Sequence, residues 1–136
     1  MKNLMTGILI LAMVFVFTGC GSEQLSESYV KEDVIAKAEQ VVTQLSNKEY
    51  QAVADMVRED LQEDLSAKVL EEALGQKIEA AGEFQEYTQT ATSGQQDKSA
   101  KEDYAIVVLV CQYENAKLTF TISFNEEMKL VGLYMR

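Results

Sequence analysis

Cys20 and Cys111 are the chain's two cysteines, and with the acidic group Glu59, Asp60, Glu63 and Asp64 they are the residues whose types and spacing invite a chemical reading. A thiolate serves as nucleophile, metal ligand or attachment point, and its surroundings decide which. Clustered carboxylates suit a hard cation such as calcium, which takes oxygen ligands. The chain has no histidine, so it lacks the side chain that titrates unperturbed near neutrality and the common nitrogen ligand for zinc or copper. That removes most hydrolase and metalloenzyme designs, and neither metal nor cofactor is expected. A formal net charge of -10, with no cluster of Lys or Arg, repels phosphate backbones, so nucleic acid is not an expected partner.

The acidic group lacks the Asp-x-Asp-x-Asp-Gly loop that would make calcium specific. On a helix it would set two i,i+4 carboxylate pairs on one side, and it reads as a solvated face or an N-terminal cap. Glu71-Glu72 and Glu126-Glu127 read as surface charge.

Cys20 has a more specific context. Lys2 gives a positive start, and Leu4 to Phe17 is apolar apart from Thr6 and Gly7, too short to cross about 30 Å of hydrocarbon as a helix. Residues 1–19 therefore read as a signal peptide. Phe17, Thr18 and Gly19 before Cys20 resemble the recognition sequence of bacterial lipoprotein signals, with Phe17 in place of the usual Leu. The resemblance implies that Cys20 is acylated and becomes the new N-terminus, anchoring the chain to the outer face of the cell membrane. Two acyl chains hold stably where one is marginal. Residues 20–28 then form the lipidated cysteine and a short tether reaching at most roughly 25 to 30 Å, and Cys111 is left without a disulfide partner.

The elements that must position everything else lie in 29–136, a length and composition suited to one core. Val30, Val34, Ile35, Ala38, Val41, Val42 and Leu45 recur at helical steps and predict an amphipathic helix over 29–45. Asn47 is placed to cap a second helix carrying Tyr50, Val53, Ala54 and Val57. Ser66 is placed to cap a third, with Val69, Leu70, Ala73, Leu74, Ile78 and Ala81 inward and Gly82 as its stop. The period then becomes alternating. Strands are predicted over 84–92, 104–113, 117–124 and 130–135, with 93–103 as a long flexible connection. Three N-terminal helices followed by a four-stranded antiparallel sheet make an α+β fold.

A turn at Asn115-Ala116, or over 114–117, predicts that Tyr113 pairs with Leu118 and Cys111 with Phe120. One face then holds Val107, Leu109, Cys111, Tyr113, Leu118, Phe120, Ile122 and Phe124, the core face, against which the first helix packs. Cys111 is thus a buried small hydrophobe and not a nucleophile. The opposite face presents Ile106, Val108 and Val110 beside Thr119, Thr121 and Ser123, greasier than a solvated face requires.

The segment LSNKEYQAV over 45–53 and the run YAIVVLVCQYENAKLTFTISFNEEMKLVGLYM over 104–135 resemble bacterial domain of unknown function 3887. That resemblance implies the nuclear-transport-factor-two-like, cystatin-like cone fold, in which a bent sheet wraps a long helix, and membership among small lipoproteins. Met128 departs from the glycine usual in the last turn. It leaves open whether Leu130, Gly132 and Tyr134 or Val131, Leu133 and Met135 face the core.

Enzymes on that fold use a buried acid or base, and the deduced core face has none. Tyr50, Phe84, Tyr87, Tyr104 and Tyr113 are the candidates for lining a cavity, more as core filling or a binding pocket than as catalysts. The expected function is a non-catalytic envelope module whose face of Ile106, Val108 and Val110 pairs with a second copy or with another envelope protein. The alternative is a small apolar ligand held inside the cone.

Overall fold

The computed structural model describes residues 24–97, 99 and 101–136. The signal segment with Phe17, Thr18 and Gly19, and the anchor residue Cys20, lie outside the described residues.

Helix α1 (Lys31–Ser46) buries Val34, Ala38, Val41, Val42 and Leu45, the stripe its spacing dictates, and places Glu32 and Asp33 where the helix dipole favours acids. Asn47 does not cap the next helix. It closes α1 instead, its N–H reaching back to the Thr43 carbonyl at 3.0 Å. Lys48 then takes a φ of 63°, and α2 (Tyr50–Ala54) begins after Glu49 without a side-chain cap. Residues Glu59–Leu61 form a 3₁₀ turn.

Ser66 does cap the third helix, its Oγ accepting from the Val69 N–H at 3.3 Å. This helix runs as α3 (Ala67–Leu70), a π turn (Glu71–Gly75) and α4 (Gln76–Ala81). All three pieces keep right-handed helical backbone at their joints, so they form one rod. Its buried stripe is narrower than predicted: Leu70, Ile78 and Ala81 are inward, whereas Val69 and Ala73 are exposed. The extra residue that a π turn inserts shifts the phase on which the wider stripe depended. Gly82, at φ 86°, ends the rod, in a conformation that a side chain resists. A Cβ there would also stand 2.9 Å from the Cβ of Glu114.

The strands β1 (Phe84–Asp97), β2 (Glu102–Tyr113), β3 (Lys117–Phe124) and β4 (Leu130–Met135) form a curved antiparallel sheet in the order β1-β2-β3-β4. With three helices among the described residues, the fold is α+β, as the period change predicts. The expected flexible connection is mostly strand. Ser93 to Asp97 pair with Ile106 to Glu102, because an edge strand with one free flank is satisfied by threonine, glutamine and serine and has no need of apolar alternation.

The β2–β3 register differs from the expectation by two residues: Cys111 pairs with Leu118 and Leu109 with Phe120. The tip of the rod sets it. Asn115 N–H donates to the Ala81 carbonyl at 2.8 Å, Glu114 N–H to the Glu83 carbonyl at 2.9 Å, and Glu83 N–H to the Glu114 carboxylate at 2.8 Å. These bonds place the turn at Glu114-Asn115, one residue earlier than predicted. A slip of two keeps every side chain on its face, so the predicted core face stands. Val107, Leu109, Cys111, Tyr113, Leu118, Phe120, Ile122 and Phe124 are all buried, and α1 packs across β1, β2 and β3.

The last strand resolves into both of its alternatives. Leu130 is fully buried opposite Phe124, then the register shifts, and Leu133 and Met135 turn to the core opposite Ile122 and Phe120. A bulge lets a strand change faces partway. Met128 takes the left-handed conformation, φ 61°, that a glycine adopts more readily. Buried Asn125 supports that turn, its Oδ1 accepting from the N–H groups of Glu127 and Lys129 at 3.1 and 2.9 Å.

Part of the expected tether is packed on the domain. Leu25 lies against the core, and the backbone of Gln24 crosses Gly94 so closely that a Cβ there would collide with the Gln24 carbonyl oxygen. Tyr29 fastens the segment, its hydroxyl donating to the backbone carbonyl of Asp103.

Candidate functional site

The five aromatic candidates do not line one cavity. Phe84, Tyr87 and Tyr113 form a stack, with ring centroids 4.7 Å apart for the first pair and 5.6 Å for Phe84 and Tyr113. They fill the space between α1 and the sheet: the Tyr87 hydroxyl reaches the Glu39 carbonyl at 3.3 Å, and that of Tyr113 meets Ser46 Oγ at 2.6 Å. Tyr104 lies at the other end of β2, half-buried and near the guanidinium of Arg58. Tyr50 lies on α2 and faces the third helix.

Among the described residues the core holds a thiol, Cys111, with Tyr87 opposite it on the neighbouring strand. Cys111 is fully buried, and desolvation, with a smaller contribution from the charge of Glu39, pushes its thiol up to about 12. Burial likewise pushes the Tyr87 hydroxyl up to about 12, partly offset by a hydrogen bond with Thr43. Both groups are held neutral at physiological pH.

The acidic group does not form the paired helical face. Glu59 and Asp60 fall in the 3₁₀ turn, and Asp60 is held by Arg58 through Nε at 2.7 Å and Nη2 at 3.2 Å. That pair holds the Asp60 carboxyl below its usual range. Arg58 also reaches Glu102 at 3.4 Å, and both sit in a mixed-charge cleft of about 460 Å³ with Lys101, Glu126 and Glu127. Among the described residues no group of three or more His, Cys, Asp or Glu is placed to hold a metal ion.

The outer face of the sheet is where Ile106, Val108 and Val110 come together. They are half-buried on alternate positions of β2, with α1 on the opposite side. Register sets Val110 between Gln89 and Thr119, Val108 between Ala91 and Thr121, and Ile106 between Ser93 and Ser123. Tyr134, 61% exposed, extends the middle row beside Thr121, and Gly132 extends the row of Ile106 beside Ser123. These three rows carry no acidic side chain, and Arg136 ends the row of Val110 beside Thr119. Tyr134 and Ala91 were missed in the sequence. The burst of polar residues in β1 and the undecided register of β4 concealed that their faces continue this one.

A second concavity was also missed, a groove of about 370 Å³ lined by Lys48, Tyr50, Glu71, Glu72, Gly75 and Glu79. Its helical side is one face of the rod, and the spacing Glu71, Gly75, Glu79 was its visible signal. Tyr50 is 9% exposed and its hydroxyl, which makes no hydrogen bond, lies 3.0 Å from where a Cβ of Gly75 would stand. Desolvation and the nearby charges of Glu71 and Glu79 raise its pKa.

Among the described residues no helix is long and apolar enough to cross a membrane. A solution NMR structure of a protein from Ruminococcus gnavus ATCC 29149 is similar: it is 26% identical, with a TM-score of 0.72 over 83% of this chain and 96% of that one. No curated protein matches the chain. The family described as protein of unknown function (DUF3887) matches over residues 38–133, from the middle of α1 to Leu133 of β4. With most of the helices and the sheet inside that match, the chain belongs to the DUF3887 family.

Proposed function

We propose that this is a lipid-anchored, extracytoplasmic module without catalytic activity, built as a cystatin-like cone, whose open sheet face pairs with a second copy of the chain. The observation that carries the reading is an outer face whose three rows hold no acidic side chain. On a chain with a formal net charge of -10, two copies repel at most approaches, and the rows of Ile106, Val108 and Val110 offer an approach without carboxylates. Half-buried aliphatics flanked by threonine and serine, with a protruding tyrosine, have the character of an interface rather than of a solvated surface.

Anchoring rests on Cys20 and its preceding residues. Gln24 stands four residues after Cys20, a span of at most about 14 Å, and crosses Gly94 toward the β1–β2 turn. An acylated Cys20 would hold that end of the sheet toward the bilayer. Absence of catalysis is supported by the neutral, buried thiol and hydroxyls of the core and by the lack of a carboxylate on the core face.

Val108→Lys and Val110→Lys test the pairing. Each is expected to give a folded monomer in small-angle scattering, and an oligomer of unchanged size would overturn the reading. Detergent phase partitioning of wild type against Cys20→Ala tests the anchor, and equal partitioning would refute it.

A further inference from the structure

The outer face is ordered across the sheet as well as along it. In the row of Val108, exposed Ala91 stands on β1 at one edge and protruding Tyr134 on β4 at the other, a hollow and a knob on the two borders of one face. Charge is divided in the same sense at the end of the sheet away from the β1–β2 turn. Glu86 lies on β1 beside Gln112, whereas Lys117 lies on β3 beside that same Gln112 and Arg136 follows β4 beside Thr119. Asp97 and Glu102, at the turn end, lie beyond the three rows.

Two copies of this face stack about a two-fold axis lying between them, and two directions are open to it. An axis across the strands sets each edge strand on its own counterpart. Tyr134 then meets Tyr134 and props the sheets apart, Ala91 faces Ala91 across a void, and Glu86 has no cation opposite it. An axis along the strands sets β1 on β4 of the second copy and β2 on its β3. Knob then falls on hollow, Val108 falls on Thr121, and Arg136 lands over Gln89, two ladder steps or about 7 Å from Glu86 and within an arginine's reach. This axis also keeps both β1–β2 turns at one end, so that two chains anchored four residues before Gln24 stand the same way up on one bilayer. The axis across the strands points those turns opposite ways.

We propose, resting on the sheet-face reading above, that two copies on one membrane stack about an axis along the strands, with Tyr134 of each seated over Ala91 of the other and Arg136 of each turned to Glu86 of the other.

Cross-linking of the full-length chain in non-ionic detergent tests the orientation, with a bismaleimide that bridges facing sheets about 10 Å apart. Ala91→Cys chains mixed with Tyr134→Cys chains are expected to link into dimers. Either variant alone is expected to link no more than wild type, whose Cys111 is buried. Sedimentation gives a second readout. Glu86→Arg and Arg136→Glu are each expected to weaken dimerisation about tenfold, since each contact occurs twice, and the double variant to restore it. Weakening by Glu86→Arg runs against the gain that a lower net charge alone would bring. Linking of either single variant to itself, a tighter dimer in Glu86→Arg, or a mixture that fails to link while Val108→Lys still abolishes the dimer would overturn the orientation and leave the sheet face standing. A monomeric wild type, or a dimer indifferent to Val108→Lys, would overturn the sheet-face reading and the orientation with it.

Discussion

Tyr113 and Ser46 meet hydroxyl to hydroxyl at 2.6 Å, joining the end of β2 to the last turn of α1. Ser46 Oγ also donates to the Val42 carbonyl at 2.8 Å, which uses its single proton, so Tyr113 is the donor of the pair. Tyr50 is the opposite case, its hydroxyl open to the groove and without a protein partner. Tyr113→Phe is therefore expected to cost about 1 to 2 kcal/mol, and Tyr50→Phe less than about 0.5 kcal/mol. Urea unfolding of the two variants checks the contrast, and equal losses would contradict it.

Alkaline pH should destabilise the domain. Tyr29 and Tyr87 are pushed up to about 12 from 10.0, and Cys111 to about 12 from 9.0, by burial first and neighbouring acids second. A group whose folded pKa is raised contributes its full stabilisation below the unfolded value and loses it as pH rises to the folded one. Stability from these three groups is thus flat up to about pH 9 and falls from there to about pH 12. Denaturant midpoints across that range should show the decline, and it should soften in Cys111→Ala.

The same burial makes Cys111 inert in the folded state. A thiol-specific chromophore at pH 8 is expected to label it only after denaturant is added. Rapid labelling of the native chain at this residue would contradict the packed core.

Gly94 is expected to tolerate no side chain while Gln24 crosses it. Gly94→Ala should cost about 1 to 3 kcal/mol in the intact chain. In a chain starting at Ser26 the obstructing carbonyl is gone and the cost should vanish, a coupling that a double-mutant cycle measures.

Much of the fold was legible because burial imposes period. Val34 to Leu45 at helical steps gave α1, and Val107 to Phe124 in alternation gave the core face, even with the turn misplaced by one residue. What escaped was set by tertiary contacts that leave little trace in local pattern. The rod tip, through Ala81 and Glu83, fixes the β2–β3 turn, and the π turn turns Ala73 outward. The polar end of β1, Ser93 to Asp97, pairs as an edge strand without an apolar signature. The outer face was read at its centre, Ile106, Val108 and Val110, but its extension to Tyr134 depended on a bulge in β4 that a single strand's residues do not announce. The five aromatics share a type but not a place, since residue chemistry alone does not fix which side of α1 each occupies.

The most direct test of the paired-sheet account is native mass spectrometry of the mature domain with Cys20 replaced by serine, purified gently from cells. The account predicts a dimer of bare mass that Val108→Lys converts to a monomer. A wild-type monomer would contradict it, and a monomer carrying extra mass that leaves on denaturation would do so while pointing to a bound ligand.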